Sequence, residues 1–92
     1  MFYVYIIQSL KDRSYYKGFT ENPSQRILQH NNKESHYTSQ KIPWQLVYIE
    51  IFTEKRLALK REVSLKKYSH KQIEVLIDSS QNCLSEYLDQ HQ

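Results

Sequence analysis

The stretch Phe2 to Gln8 constrains the fold of this chain more than any other. Its residues are β-branched or aromatic at both parities, with Tyr3, Tyr5 and Ile7 on one face and Phe2, Val4 and Ile6 on the other. Successive strand residues point to opposite faces, so a strand apolar on both belongs in the interior of its sheet. Leu10 to Ser14 is polar turn material, and Tyr15 to Thr20 reads as a second strand. The link is too short for a crossover, which predicts an antiparallel hairpin.

Asn22-Pro23 is a helix start, with Asn as N-cap and Pro at the first helical position. The helix is expected from about Pro23 to Asn32, burying Ile27 and Leu28. Lys33 to Pro43 is a polar loop. Trp44 to Phe52 is a third strand, with Val47, Ile49 and Ile51 on one face and Leu46, Tyr48 and Phe52 on the other. Thr53 is expected to cap a second helix reaching about Tyr68. Ser69-His70-Lys71-Gln72 has the capping-box pattern and opens a third helix burying Ile73, Leu76 and Ile77. The order is β-β-α-β-α-α, an α+β layer with helices packed on a small sheet. Residues 1–78 form the predicted domain. Residues 79–92 are read as an acidic tail or a short helix carrying Leu84, Tyr87 and Leu88 at helical spacing.

At 92 residues the chain holds one small domain with a modest core. One glycine and two prolines exclude long flexible linkers and glycine-rich repeats. No apolar run approaches the roughly 18 residues that cross a bilayer. The first residues carry no basic leader or small-residue cleavage site, so a cytoplasmic protein without a membrane partner is expected. Cys83 is the single cysteine, which excludes an internal disulfide and argues against a four-ligand zinc site. The net charge of +3 is unevenly spread: residues 33–71 carry nine basic and four acidic side chains, whereas residues 72–92 carry four acidic and no Lys or Arg. A basic body suits a polyanionic partner, although a solvated helix face gives the same count.

Glu62 is the sharpest chemical signal. At 100° per residue it falls with Ala58, Leu65 and Ser69 on the small apolar stripe of the second helix. A carboxylate there has to be paired, hydrogen-bonded or metal-bound, because burying it alone costs several kcal/mol. An internal ion pair, for instance with Arg26, or a rim position exposed by a helix end is the plainer reading. Arg26 and His30 are four apart on one helix and project to the same side. Arg offers a fork for phosphate oxygens and His a proton carrier, although an exposed pair without a task is the plainer reading of this spacing alone. Among the eight tyrosines, Tyr5 and Tyr16 stand out by their place in the first hairpin. Gly18, the sole glycine, lies inside a strand, where glycine often marks a bulge or a close approach.

Tyr3-Val4-Tyr5, Tyr16-Lys17-Gly18, the run from Arg26 to Asn31, Trp44 to Tyr48, and Ala58 to Glu62 with Leu65-Lys66-Lys67 lie in an order and spacing that resembles the GIY-YIG nuclease domain. The likeness is greatest to small stand-alone bacterial members related to the nuclease domain found in the incision enzyme of nucleotide excision repair, and it covers about residues 1–78. The resemblance implies a three-stranded antiparallel sheet flanked by helices and single-metal hydrolysis of a DNA phosphodiester. It implies that Tyr5 or Tyr16 helps to deprotonate or position the attacking water. Arg26 would hold the scissile phosphate, His30 would stand near the attacking tyrosine, and Glu62 would be the sole protein ligand to Mg²⁺ or Mn²⁺. The chain departs from the family pattern at Tyr3, where glycine is usual, and at Lys17, where an aliphatic residue is usual. The asparagine that often follows the metal glutamate is replaced by the region of Ser69 and His70.

The leading expectation is therefore a Mg²⁺-dependent endonuclease acting on DNA in repair or recombination. A binding module that keeps the fold without turnover is the alternative, with Lys17, Lys66 and Lys67 on phosphates. A third reading is a docking domain for a larger repair protein. RNA is the other candidate polymer.

Overall fold

The computed structural model describes residues 1–90. Its elements in order are β1 (Phe2–Ser9), β2 (Tyr15–Thr20), α1 (Pro23–Asn31), a 3-10 turn (Ser39–Lys41), β3 (Trp44–Phe52), α2 (Lys55–Leu65), α3 (His70–Ile77) and α4 (Leu84–Gln90). The strands form one antiparallel sheet in the order β2-β1-β3, so the doubly apolar β1 is the central strand. Both its faces are covered. Val4, Ile6 and Tyr48 pack with Ala58 and Leu65 of α2 and Ile73 and Leu76 of α3. On the other face Tyr3, Tyr5, Ile7, Trp44 and Ile49 pack with Tyr87 of α4 and Ile27 of α1.

The helix starts are built as their residues dictate. The Asn22 side chain accepts from the Gln25 amide at 3.2 Å with Pro23 beside it, and Ser69 and Gln72 complete a reciprocal capping box. Thr53 does not cap α2; the N-cap is Glu54, which makes no side-chain cap bond. Only one of two adjacent helix residues can face the sheet, so Ile27 is half-buried while Leu28 stands exposed. Ile77 is likewise half-buried, and Ser69 is exposed outside α2.

The face assignment within β3 also changes. The β1–β3 register shifts between Ile6, which pairs with Tyr48, and Ile7, which pairs with Leu46. Val47 is the inserted residue of this bulge, and it reverses the parity. Val47 and Tyr48 therefore join the α2/α3 core, while Trp44, Leu46, Ile49 and Ile51 join the other.

Residues 84–90 form a docked helix, not a loose tail; His91 and Gln92 of the predicted tail lie outside the described residues. Tyr87 is fully buried, meets Tyr3 edge-on at 5.5 Å and accepts from the Ser24 amide at 3.0 Å. Ahead of α4, the Asn82 side chain donates to the Val47 and Ile77 carbonyls and accepts from the Ile49 and Leu84 amides, and the Cys83 amide donates to Ile49 O at 2.7 Å. No helix among the described residues is long and apolar enough to cross a membrane.

If α4 belongs to the core, Tyr87→Ala lowers unfolding stability by about 3–5 kcal/mol, as for other buried aromatics. Tyr87→Phe, which loses only hydrogen bonds, costs about 1 kcal/mol. Urea unfolding of the two variants checks this, and an unchanged midpoint for Tyr87→Ala refutes it.

Candidate active site

Tyr5 stands at the centre of β1, paired with Gly18 on β2 and Ile49 on β3. Its side chain points to the α1 face and is almost wholly buried. A Cβ added to Gly18 would lie 2.5 Å from the Tyr5 hydroxyl and 2.6–2.7 Å from ring carbons. Gly18 has no positive φ, so its value is space and not backbone freedom. The phenol lies across the strand where any other residue would put a methyl group.

From that position the Tyr5 hydroxyl meets His30 Nε2 at 2.9 Å. Nδ1 of the same ring lies 2.8 Å from Thr38 Oγ1, and Thr38 Oγ1 donates to Ser35 O at 3.4 Å. With the Thr38 proton directed at that carbonyl, its oxygen accepts from Nδ1–H, and Nε2 is left to accept from the Tyr5 O–H. His30 is only 1% exposed, which overturns the reading of an exposed helix pair. Burial, with the Arg26 guanidinium beside it, lowers the His30 pKa to about 4, so the ring is neutral near pH 7. Burial raises the Tyr5 pKa to about 12; Arg26 opposes the rise, and Tyr16 and Glu62 add to it.

Tyr16 is half-buried at the mouth of this arrangement. Its ring meets His30 edge-on at 5.2 Å and Trp44 at 6.5 Å, with Tyr5 at 6.4 Å and Tyr37 at 6.0 Å. Arg26 is exposed one turn before His30, donates to Gln29 Oε1 at 3.1 Å and lines a cleft of about 270 Å³ with Gln29, His30, Glu34 and Ser35. Two contacts hold α1 and the following loop in place. Asn31 exchanges side-chain bonds with the Trp44 amide and carbonyl at 2.6 and 3.0 Å, and the Trp44 indole donates to Thr38 O at 2.9 Å.

Glu62 approaches from the other layer. Its neighbours on the α2 stripe, Ala58 and Leu65, are fully buried, whereas its own side chain keeps 18% of its exposure. Its ion-pair partner among the described residues is Lys66, one turn on, at 3.6 Å, and not Arg26. Lys66 is more than half exposed, so this is a weak pair. Glu62 thus offers a cation one hard carboxylate, and no group of three or more His, Cys, Asp or Glu stands among the described residues. Such a donor set suits an ion that keeps most of its waters.

Lys17 and Lys66 share a groove with Tyr15, Tyr16 and Tyr37, whereas Lys67 is exposed outside it. His70 packs on the Tyr15 ring at 4.5 Å, and Ser69 is spent on capping α3. The sequence by itself assigns no task to Thr38 or Asn31. Thr38 lies in a polar loop, and only the buried imidazole reveals what it does.

A fold and a constellation of this kind place the chain among known proteins. Residues 1–74 match the model of the GIY-YIG catalytic domain, and the chain belongs to that family. It is similar to UPF0213 proteins: 44% identical over 68 residues to one from Staphylococcus saprophyticus, covering 73% of this chain and 82% of the relative. To another from Clostridium perfringens it is 45% identical over 80 residues, covering 86% and 85%. The solution NMR structure of a UPF0213 protein from Bacillus halodurans superposes with a TM-score of 0.56 at 34% identity, covering 88% of this chain and 87% of that one.

Two measurements test this geometry. Because the folded pKa of His30 lies below its unfolded value, the unfolded state binds more protons between about pH 4 and 6.5. Stability therefore falls as pH drops through that window, and His30→Gln flattens the fall; thermal unfolding of both proteins from pH 4 to 7 checks the sign. Gly18→Ala overpacks the Tyr5 site and destabilises by about 1–3 kcal/mol, against no loss if the strand has room.

Proposed function

We propose that this protein is an endonuclease that hydrolyses DNA phosphodiesters with one divalent ion, Mg²⁺ or Mn²⁺, held by Glu62. The supporting observation is the environment of Tyr5. Its phenol is bonded to a buried neutral imidazole and lies in the fields of a guanidinium, a second phenol and the α2 carboxylate. Structural packing of a tyrosine needs none of these.

Each residue then has a task. Arg26, exposed on α1 with its planar fork of donors, grips the scissile phosphate. Tyr16, the less buried phenol, orients the attacking water. Tyr5 takes the water's proton while passing its own to His30 Nε2, which is unprotonated and ready to accept. A phosphate bound at Arg26 offsets the guanidinium charge that helps to hold His30 neutral, so substrate binding makes the imidazole a better proton acceptor. Thr38 holds the ring in the tautomer this transfer requires. When bound, the metal ion supplies positive charge for the developing phosphoryl oxyanion. Lys17, Lys66 and Lys67 add phosphate contacts that position the strand without reading sequence. Repair or recombination is the setting this activity fits, in company with a larger repair protein.

Nicking of supercoiled plasmid tests the assignment. Wild type nicks with Mg²⁺ and stops with EDTA. Glu62→Ala, Arg26→Ala and His30→Ala each lower the rate by roughly 10²–10³-fold. Full activity in Glu62→Ala removes the metal assignment. Salt-sensitive binding without nicking promotes the non-catalytic module instead.

A further inference from the structure

The groove alongside the site contains a residue that neither catalysis nor folding accounts for. Tyr37, in the loop between α1 and β3, is 69% exposed, yet its ring sits 6.0 Å from that of Tyr16 at an angle of 40°. The two rings form an open wedge and not a closed stack. With Tyr15, Lys17 and Lys66 they line a groove of about 270 Å³. That is slightly below the roughly 300–1,000 Å³ of a site for a drug-sized ligand, and it suits one nucleoside. Lys17 lies on its wall, partly desolvated, with its pKa lowered by burial and no ion pair among the described residues. An anion beside it would restore its lost solvation. Lys66 stands on the same wall and reaches Glu62. The groove thus joins an aromatic face to two ammonium groups, and Tyr16 on its wall also meets His30 of the candidate site.

Resting on that reading of the site, we propose that Tyr37 is a stacking platform for an unpaired nucleobase next to the scissile phosphate, with Lys17 and Lys66 holding the adjoining phosphates. The occupant is therefore DNA with at least one unpaired nucleotide at the cleavage position. Inside a duplex both faces of every base are covered by its neighbours, so a protein ring reaches a base face only where pairing has ended. Aromatic rings beside a cationic wall are how proteins hold single strands without reading their sequence.

The test uses the full chain in EDTA, so that binding is read without cleavage. An oligonucleotide with one 2-aminopurine is offered as a single strand and as a fully paired duplex of the same sequence, to wild type, Tyr37→Phe and Tyr37→Ala. Affinity is followed by anisotropy and stacking by quenching of the fluorophore. Wild type prefers the single strand and quenches it; Tyr37→Phe keeps both properties. Tyr37→Ala loses the quenching, and its preference falls roughly 5- to 140-fold, the loss of one base–aromatic stack. An unchanged preference in Tyr37→Ala, or equal weakening on both DNAs, overturns the platform. Cleavage of the same single strand by wild type with Mg²⁺, run in parallel, separates this result from the site assignment: cleavage without a Tyr37 effect sinks the platform alone, and a Tyr37 effect without cleavage sinks the hydrolysis alone.

Discussion

The contact between Tyr5 and the bare backbone of Gly18 is the constraint from which the site follows. With no side chain on β2 opposite it, the phenol lies flat across the neighbouring strand and its oxygen reaches the first helix. The imidazole it meets is in turn fixed by Thr38, and Thr38 is fixed by the loop that the Trp44 indole anchors. Each link is a short hydrogen bond between buried groups, where a missing partner costs about 1–3 kcal/mol. A chain of that kind adopts one geometry or breaks, and it holds the Tyr5 hydroxyl and His30 Nε2 in a fixed relation.

The groups around Tyr5 come from both layers. Tyr16, Arg26 and His30 belong with the face covered by α1 and α4, whereas Glu62 is carried by α2 on the opposite core. β2 is an edge strand of the sheet, and a helix carboxylate from one face exerts its field on a phenol of the other. The open groove lies along the same strand. The candidate site therefore lies where the two layers meet and not in a cavity closed within either.

Much of the fold was legible because it rests on local rules. The apolar run from Phe2 to Gln8 marked a central strand, and Asn22-Pro23 and Ser69 to Gln72 marked helix starts by cap chemistry that acts over three or four residues. What escaped needed tertiary information. A bulge adds one residue without changing composition, so Val47 reversed the expected faces of β3 unseen. Thr53 resembled a cap, yet the backbone turned into a helix one residue later. In the site, the spacing of Arg26 and His30 placed them on one side of α1, but it gave no sign that one is exposed and the other buried. Spacing put Glu62 on the apolar stripe, and the structure adds that its partner is the neighbouring Lys66. Thr38 was illegible because polar residues in a loop look alike until something buried needs them, and Asn31 because the end of a helix gives no sign in its spacing of the strand it will bond.

The bonds made by Asn82 and Cys83 have a consequence beyond holding α4. They occupy the outward-facing Val47 carbonyl and both polar backbone groups of Ile49. Those are the groups a second molecule would use to extend the sheet, and on β3 they are already taken. The opposite margin, β2, is guarded differently, by the charge of Lys17 at its middle. The segment after α3 thus seals this part of the β3 margin, and a second strand could add there only by displacing it.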